Sequence, residues 1–507
     1  MSKFDLASMQ SGKKHAMRLL GLLVHMSLFE PGSKSLTYKE INARLSRHAG
    51  KNESGHFTDV IKQINQKLLD STSKGNRGVF NTVEFVYPTD KTIIWKGTLL
   101  TSALLLEKCK LNPAPETARF DTGKELSHFD AVSALTKSEI AFRVSKHRDA
   151  LRESGDALRI FGFDNAPQWL LLHHYTQELR TNRRLENSEG VRRVLSQARV
   201  TLQKWKDTEG YEILDGLIEV NSAWQRYDIL VRDQFSVNDT KEIEDLLNSR
   251  GSKLGAEKSN FLAFERRNLL ALVLRRRFEA LKEIEADENH IQSAWEQALT
   301  HNMEAIKYAV FASDLTALSN ACGNRTPILN AMFRRKKYAA SAKDWTNSLL
   351  WLALSWDIAE QAGLGGDNLW SPIYLLTTHR FATEANGKKI WKEMMTNASQ
   401  KTAWFKKRAG KHVVNIAMEM SEKMLENILS DSKKAKQEAF ARQLAMFAGE
   451  LGGAGMRSHP FTASPHSKIF ITLSEVLAQI PKKAKMNIKG FEEEERHFLA
   501  WKNELLS

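Results

Sequence analysis

The apolar positions of the first hundred residues change period partway along. GKKHAMRLLGLLVHMSLF is apolar on most sides, which predicts a buried helix ended by Glu30-Pro31-Gly32. A second helix is expected to start at Leu36. Thr37 and Glu40 there have capping-box spacing, and Ile41 and Leu45 continue one apolar face. After the turn-like AGKNESG, the run HFTDVIKQINQKLLD places Phe57, Val60, Ile61, Ile64 and Leu68 on one face of a third helix. Its opposite face carries Thr58, Asp59, Lys62, Gln63 and Gln66. The period then switches to two. NTVEFVY and KTIIWKG read as strands around Pro88-Thr89-Asp90, a β-hairpin, and LTSALLLEKCK follows as a packing helix.

Helix, helix, turn, helix and hairpin in this order resembles the winged helix-turn-helix superfamily. The resemblance covers residues 1–110 only, and the rest of the chain carries no such likeness. It implies that the third helix enters a major groove and offers side chains to base edges. Those side chains would be Thr58, Lys62, Gln63 and Gln66, with Gln suited to adenine and Lys to guanine or phosphate. Lys91 on the wing, and Lys74 and Arg77 in the loop STSKGNRG, would be phosphate contacts that position without specifying sequence. Asp59 on the same face opposes phosphate, and the face is only moderately basic. Winged helices also dock proteins, as in kleisin-like subunits of chromosome-organising complexes, so a docking role without DNA contact stands as the alternative.

Residues 111–131, LNPAPETARFDTGKELSHFDA, have two prolines and weak periodicity and read as a linker. From Leu135 onward the pattern is helical almost throughout, with breaks expected at 249–260, 363–372, 450–467 and 480–490. No repeat period of the kind that marks a solenoid is present. The tail GFEEEERHFLAWKNELL reads as a short amphipathic helix, its acidic turn placed to suit the helix dipole. The expected fold class is therefore mainly α, an N-terminal winged helix followed by a large all-α body. The expected domains are a winged helix at 1–110, a linker at 111–131, a helical domain at 132–330 and a basic, Trp-rich helical domain at 331–507.

Charge sharpens this picture. The chain of 507 residues has a net charge of +14. Residues 1–110 hold 17 Lys/Arg against 9 Asp/Glu, and residues 331–420 hold 14 against 7, so the remainder is almost neutral. Two basic zones on a neutral body favour a polyanionic partner. The second zone contains six of the twelve tryptophans, and cations interleaved with rings can hold nucleic acid. Trp345, Leu349, Leu352 and Trp356 share one helical face, however, which makes those tryptophans core residues. The candidate contacts are the cationic runs Arg334, Arg335, Lys336, Lys337 and Lys406, Lys407, Arg408, Lys411. In FLAFERRNLLALVLRRRFEALKEIE the arginines splay around the helix, and some are expected to pair with Glu265, Glu279 and Glu283 along it.

Signals for catalysis are weak. No GxxxxGK[ST], HExxH or GxSxG pattern is present. His173 and His174 are adjacent and point about 100° apart on a helix, a poor start for a metal site. The glycine-rich 450–467 loop gathers His459, Ser464 and His466 without an acidic partner fixed by spacing. Cys109 and Cys322 form no CxxC, which fits a reducing compartment, and the polar start MSKFDLASMQSGKK gives no secretory signal. The sequence reading is a cytoplasmic, non-catalytic DNA-binding subunit of a multi-protein DNA-processing, DNA-maintenance or defence complex. It expects double-stranded DNA and protein partners, with no membrane, cofactor or metal. A metal-dependent nuclease assembled in the helical body is the further alternative.

Overall fold

The computed structural model describes three short strands in the N-terminal part, residues 131–453 with short gaps, and scattered positions from 473 to 499. The strands are β1 (Ser35–Thr37), β2 (Glu84–Val86) and β3 (Thr92–Lys96), ordered β1-β3-β2 with both pairings antiparallel. β2 and β3 fall inside the two runs of period two, in the register Glu84 to Lys96 and Val86 to Ile94. β1 corrects the sequence reading, which begins a helix at Leu36. Leu36 instead pairs with Ile93, and Thr37 with Thr92. The free edge of β3 claims this short stretch, tertiary pairing overriding a local helix signal. A helix-capping residue has extended dihedrals itself, so Thr37 can end a strand and still stand before a helix.

From residue 131 the described residues form helices and no strand. The helices are α1 (His147–Phe161), α2 (Gln168–Arg184), α3 (Ser188–Lys204), α4 (Gly210–Leu230), α5 (Val237–Leu247), α6 (Arg250–Lys258), α7 (Asn260–Glu283) and α8 (Glu288–Phe311). They continue as α9 (Leu315–Phe333), α10 (Ala342–Gln361), α11 (Trp370–Asn386), α12 (Ile390–Ser399), α13 (Ala403–Lys406), α14 (Val413–Ser430) and α15 (Glu438–Gly453). Many starts are written into short polar side chains. Asn187, Ser249, Ser259, Asp287, Asp314 and Thr402 each accept a bond from a free amide of the first turn. Ser236 and Asp239 make a full capping box at α5.

One expected break is a helix. The stretch 249–260 reads as a glycine-punctuated loop, yet α6 occupies it, capped by Ser249, while Ser259 caps α7. Gly251 and Gly255 lie one turn apart on the face that meets α4, and Gly255 stands directly against Gly216. A Cβ on Gly255 would lie 2.7 Å from the Gly216 Cα. These glycines set a close helix–helix approach and do not end a helix.

The spine of the body is α7, 24 residues long, packed along α8. Phe261, Leu262 and Phe264 join a core with α2, α3 and the first half of α4. Leu269, Leu270 and Val273 join another with α5 and the rest of α4. Ala271, Leu274 and Phe278 enter the largest core, which runs through α8 to α15 and includes Phe498 of the tail. A helix serving three cores must present apolar residues on several sides, and in α7 these alternate with charged residues around the helix. Residue 330 lies within α9, and the largest core draws on residues from 271 to 498, so a division there would cut both a helix and a core. Trp345, Leu349 and Leu352 are buried together, and Trp356 packs at the edge of the same core. No helix of the described residues is long and apolar enough to cross a membrane.

Candidate nucleic-acid interface

Thr58, Lys62, Gln63, Gln66, Lys74, Arg77 and Lys91 lie outside the described residues, as do Cys109, His459 and His466. The two cationic runs of the body can be placed. Arg334 caps the C-terminus of α9, and Lys336 begins a short 3-10 turn, Lys336–Tyr338. Arg335 is already engaged: it bonds Glu288 of α8 at 2.7 Å, and its guanidinium lies 5.8 Å from the Phe278 ring of α7. Lys337 lies 3.7 Å from the same Glu288 but remains 81% exposed. Arg408 stacks on Trp404 at 3.9 Å and bonds Glu419 at 3.1 Å, and Lys411 pairs with Glu419 as well. Lys406 and Lys407 are exposed at the end of α13. In each run an arginine is taken up by internal packing, while Lys337 in the first and Lys406 and Lys407 in the second are exposed. Among the described residues no hydrogen bond, ion pair or ring contact links one run to the other.

Arg334 has a different neighbourhood. Its guanidinium is 4.4 Å from the Phe381 ring of α11, and that of Arg380 is 4.7 Å from the same ring. Arg380 is held by two bonds to Glu450 of α15, at 2.9 and 2.7 Å, whereas Arg334 is exposed. Because Arg335 rests on Phe278, the end of α9 abuts the turn of α7 that holds Arg275, Arg276, Glu279 and Lys282. Burial alone would push the Glu279 carboxyl up. Arg275 and Arg276, a 3.1 Å bond from Arg276, and Arg334 together hold it below the ordinary carboxylate range. Burial, and then Arg334, push the Lys282 ammonium down.

The spacing along α7 predicts that some of its arginines pair within the helix, as Arg276 does with Glu279, while others reach neighbouring helices. Arg266 bonds the Leu247 carbonyl at 2.6 Å, Arg267 pairs with Glu304 at 2.9 Å, and Arg277 pairs with Glu244 of α5. Glu265 faces Arg183 of α2 at 3.6 Å. The outward-splayed arginines find partners on neighbouring helices because α7 is surrounded. The Nε atoms of Arg275 and Arg276 are both buried without a hydrogen-bond partner among the described residues, and both arginines face Glu279.

Chemistry of other kinds is sparse in the described residues. No group of three His, Cys, Asp or Glu there is placed to hold a metal ion. His174 bonds Ser154 at 2.9 Å, but both are buried. Cys322 is fully buried, and burial pushes its thiol up to about 12, which keeps it unreactive. Clefts among the described residues include one of about 490 Å³ over Leu274 and Leu281 and one of about 210 Å³ between Lys343 and Lys401. Compared with known proteins, the chain matches no family model, no curated protein and no solved structure.

Proposed function

We propose that this chain is a non-catalytic nucleic-acid-binding subunit that holds duplex DNA through an N-terminal winged helix and the basic surface of its helical body, within a larger protein assembly. The observation that carries the reading is the β1–β3 pairing. It joins residues 35–37 to 92–94 and so closes a loop containing the whole third helix expected at 56–70. A two-stranded hairpin alone is marginal, and a third strand adds to its stability. The zoned charge supports the same partner, since residues 1–110 (17 Lys/Arg against 9 Asp/Glu) carry a net +8 of the chain's +14 in about a fifth of its length.

The test is binding of the full chain to a labelled duplex by fluorescence anisotropy across a salt series. Affinity should fall by about a thousandfold between roughly 50 and 200 mM salt if some six phosphates are neutralised. The double variant Lys62→Glu, Lys91→Glu should reduce the log–log salt slope by about 2. An unchanged slope in that variant refutes the winged-helix assignment. A second reading, protein docking, has its own observation. The C-terminal half of α8 exposes Met303, Val310 and Phe311, at 44, 54 and 55%, along one face. It predicts weak DNA binding that is insensitive to Lys62 and Lys91.

A further inference from the structure

The smaller cleft of the body, about 210 Å³, is lined by Lys343, Thr346, Asn397, Gln400 and Lys401, with no acidic residue among them. One wall is the first turn of α10, where Lys343 is exposed and Thr346 is buried. The other is the end of α12, where Asn397 is half-buried and Gln400 and Lys401 are exposed. Thr346 serves as floor, since its hydroxyl already donates to the Ala342 carbonyl at 2.6 Å. The side chains of Lys343, Asn397, Gln400 and Lys401 make no hydrogen bond or ion pair among the described residues. Nearby acceptors are turned elsewhere. Asp344, next to Lys343, accepts from the Ser341 amide at 2.8 Å and the Ser341 hydroxyl at 2.7 Å, which closes the cap of α10. Glu393 stands one turn before Asn397 and does not line the cleft. In the last turn of α12, the Thr396 carbonyl accepts from Gln400 and that of Ala398 from Lys401 and Thr402. Two ammonium groups and two carboxamides therefore face one cleft from two helices.

We propose that this cleft seats the sugar–phosphate backbone of a nucleic-acid strand, with Lys343 and Lys401 each neutralising a phosphate and Asn397 and Gln400 donating to its oxygens. The proposal rests on the nucleic-acid reading above and deepens it by naming where the helical body meets the backbone. A lining with two cations and no carboxylate selects an anion. Both cations are lysines, compact charges without the planar fork of arginine, and such contacts position a backbone without reading its sequence. Three of the five lining residues are exposed, so the cleft lies open at the surface and a strand can cross it and continue on both sides. No run of cations marks the site in the sequence. Lys343 and Lys401 lie far apart along the chain and share a cleft because α10 packs on α12.

The test is fluorescence anisotropy of the full chain with a labelled duplex across a salt series. The pair Lys343→Gln, Lys401→Gln should reduce the log–log salt slope by about 2 and weaken binding by more than about tenfold at roughly 100 mM salt. The pair Lys206→Gln, Lys253→Gln removes the same charge from exposed positions elsewhere and should leave both unchanged. The pair Asn397→Ala, Gln400→Ala should weaken binding about fivefold at constant slope, because neutral donors release no counterions. The four lysines are exposed, so their variants should fold as wild type does, which thermal melts check. A slope in Lys343→Gln, Lys401→Gln equal to that of the control pair overturns the cleft. If the wild-type slope is then still steep and still responds to Lys62→Glu, Lys91→Glu, the nucleic-acid reading survives that loss. A shallow wild-type slope defeats the reading, and the cleft falls with it. A second arm follows thermal unfolding in inorganic phosphate against chloride at matched ionic strength. Stabilisation by phosphate that is lost in Lys343→Gln, Lys401→Gln, alongside an unaltered duplex slope, would make this a site for a free anion and would also overturn the proposal.

Discussion

Glu139 shows how this chain uses charge one side chain at a time. It is 2% exposed, lies 3.1 Å from Arg143, and also pairs with Arg180, whose guanidinium stacks on Phe142 at 4.0 Å. Burial pushes Arg180 down to about 10, with Asp314 and Glu265 pulling the other way. Such a cluster need not be worth more than apolar packing of the same volume, but it is expensive to break. Glu139→Ala strands two buried cations and is expected to cost about 3–5 kcal/mol in urea unfolding. Glu288→Ala removes an exposed partner of Arg335 and should cost under about 1 kcal/mol. Equal losses in the two variants would show that the buried cluster relaxes through water and does not hold residues 138–143 against α2.

The same logic scales to whole elements, where glycines decide how α4 and α6 meet. The glycines of 249–260 read as breakers in the sequence because composition cannot distinguish a glycine that ends a helix from one that admits a neighbour. The partner Gly216, some forty residues away, was not legible there. A Cβ on Gly255 would meet the Gly216 Cα at 2.7 Å and the Glu212 carbonyl at 3.0 Å. Both obstacles are backbone, so neither can rotate aside. Gly255→Ala is therefore expected to lower stability by roughly 1–3 kcal/mol despite the gain in helix propensity. Gly155, inside α1, is open: a Cβ there would meet nothing within 4 Å, and Gly155→Ala should raise stability by about 0.5–1 kcal/mol. Opposite signs in thermal melts of the two variants are the expected outcome. A stabilising Gly255→Ala would mean that the two helices are free to separate.

Across the whole molecule, what was legible followed period and local chemistry, and what was not depended on distant neighbours. The helical body and the core role of Trp345, Leu349 and Leu352 came from spacing alone, because burial on one face writes a period of 3.6. β1 and the continuity of the largest core across residue 330 each join segments far apart in sequence. Histidine burial is a further property of that kind, and it sets how the molecule responds to acid. His174 on α2 and His379 on α11 are both held down at about 4 by burial, with His412 adding to the effect at His379 and Ser154 opposing it at His174. In the unfolded chain each titrates near 6.5. A depressed folded pKa means that the unfolded state takes up protons first, so this stability is intact above pH 6.5 and is lost as pH falls toward 4. Each histidine should cost about 1 kcal/mol between pH 7 and 5.5. The buried carboxyls of Glu178, Asp215, Glu265 and Glu450 are pushed up, and they favour the folded state as pH falls, so the two sets oppose each other. The histidine share is isolated by urea unfolding of wild type and His379→Phe across this range. Phe cannot take up a proton and suits the ring contact with Trp391 at 5.0 Å, so the variant should lose about 1 kcal/mol less than wild type. Parallel pH curves would instead show that His379 is protonated in the folded protein, and that the space between α11 and α12 is open to water.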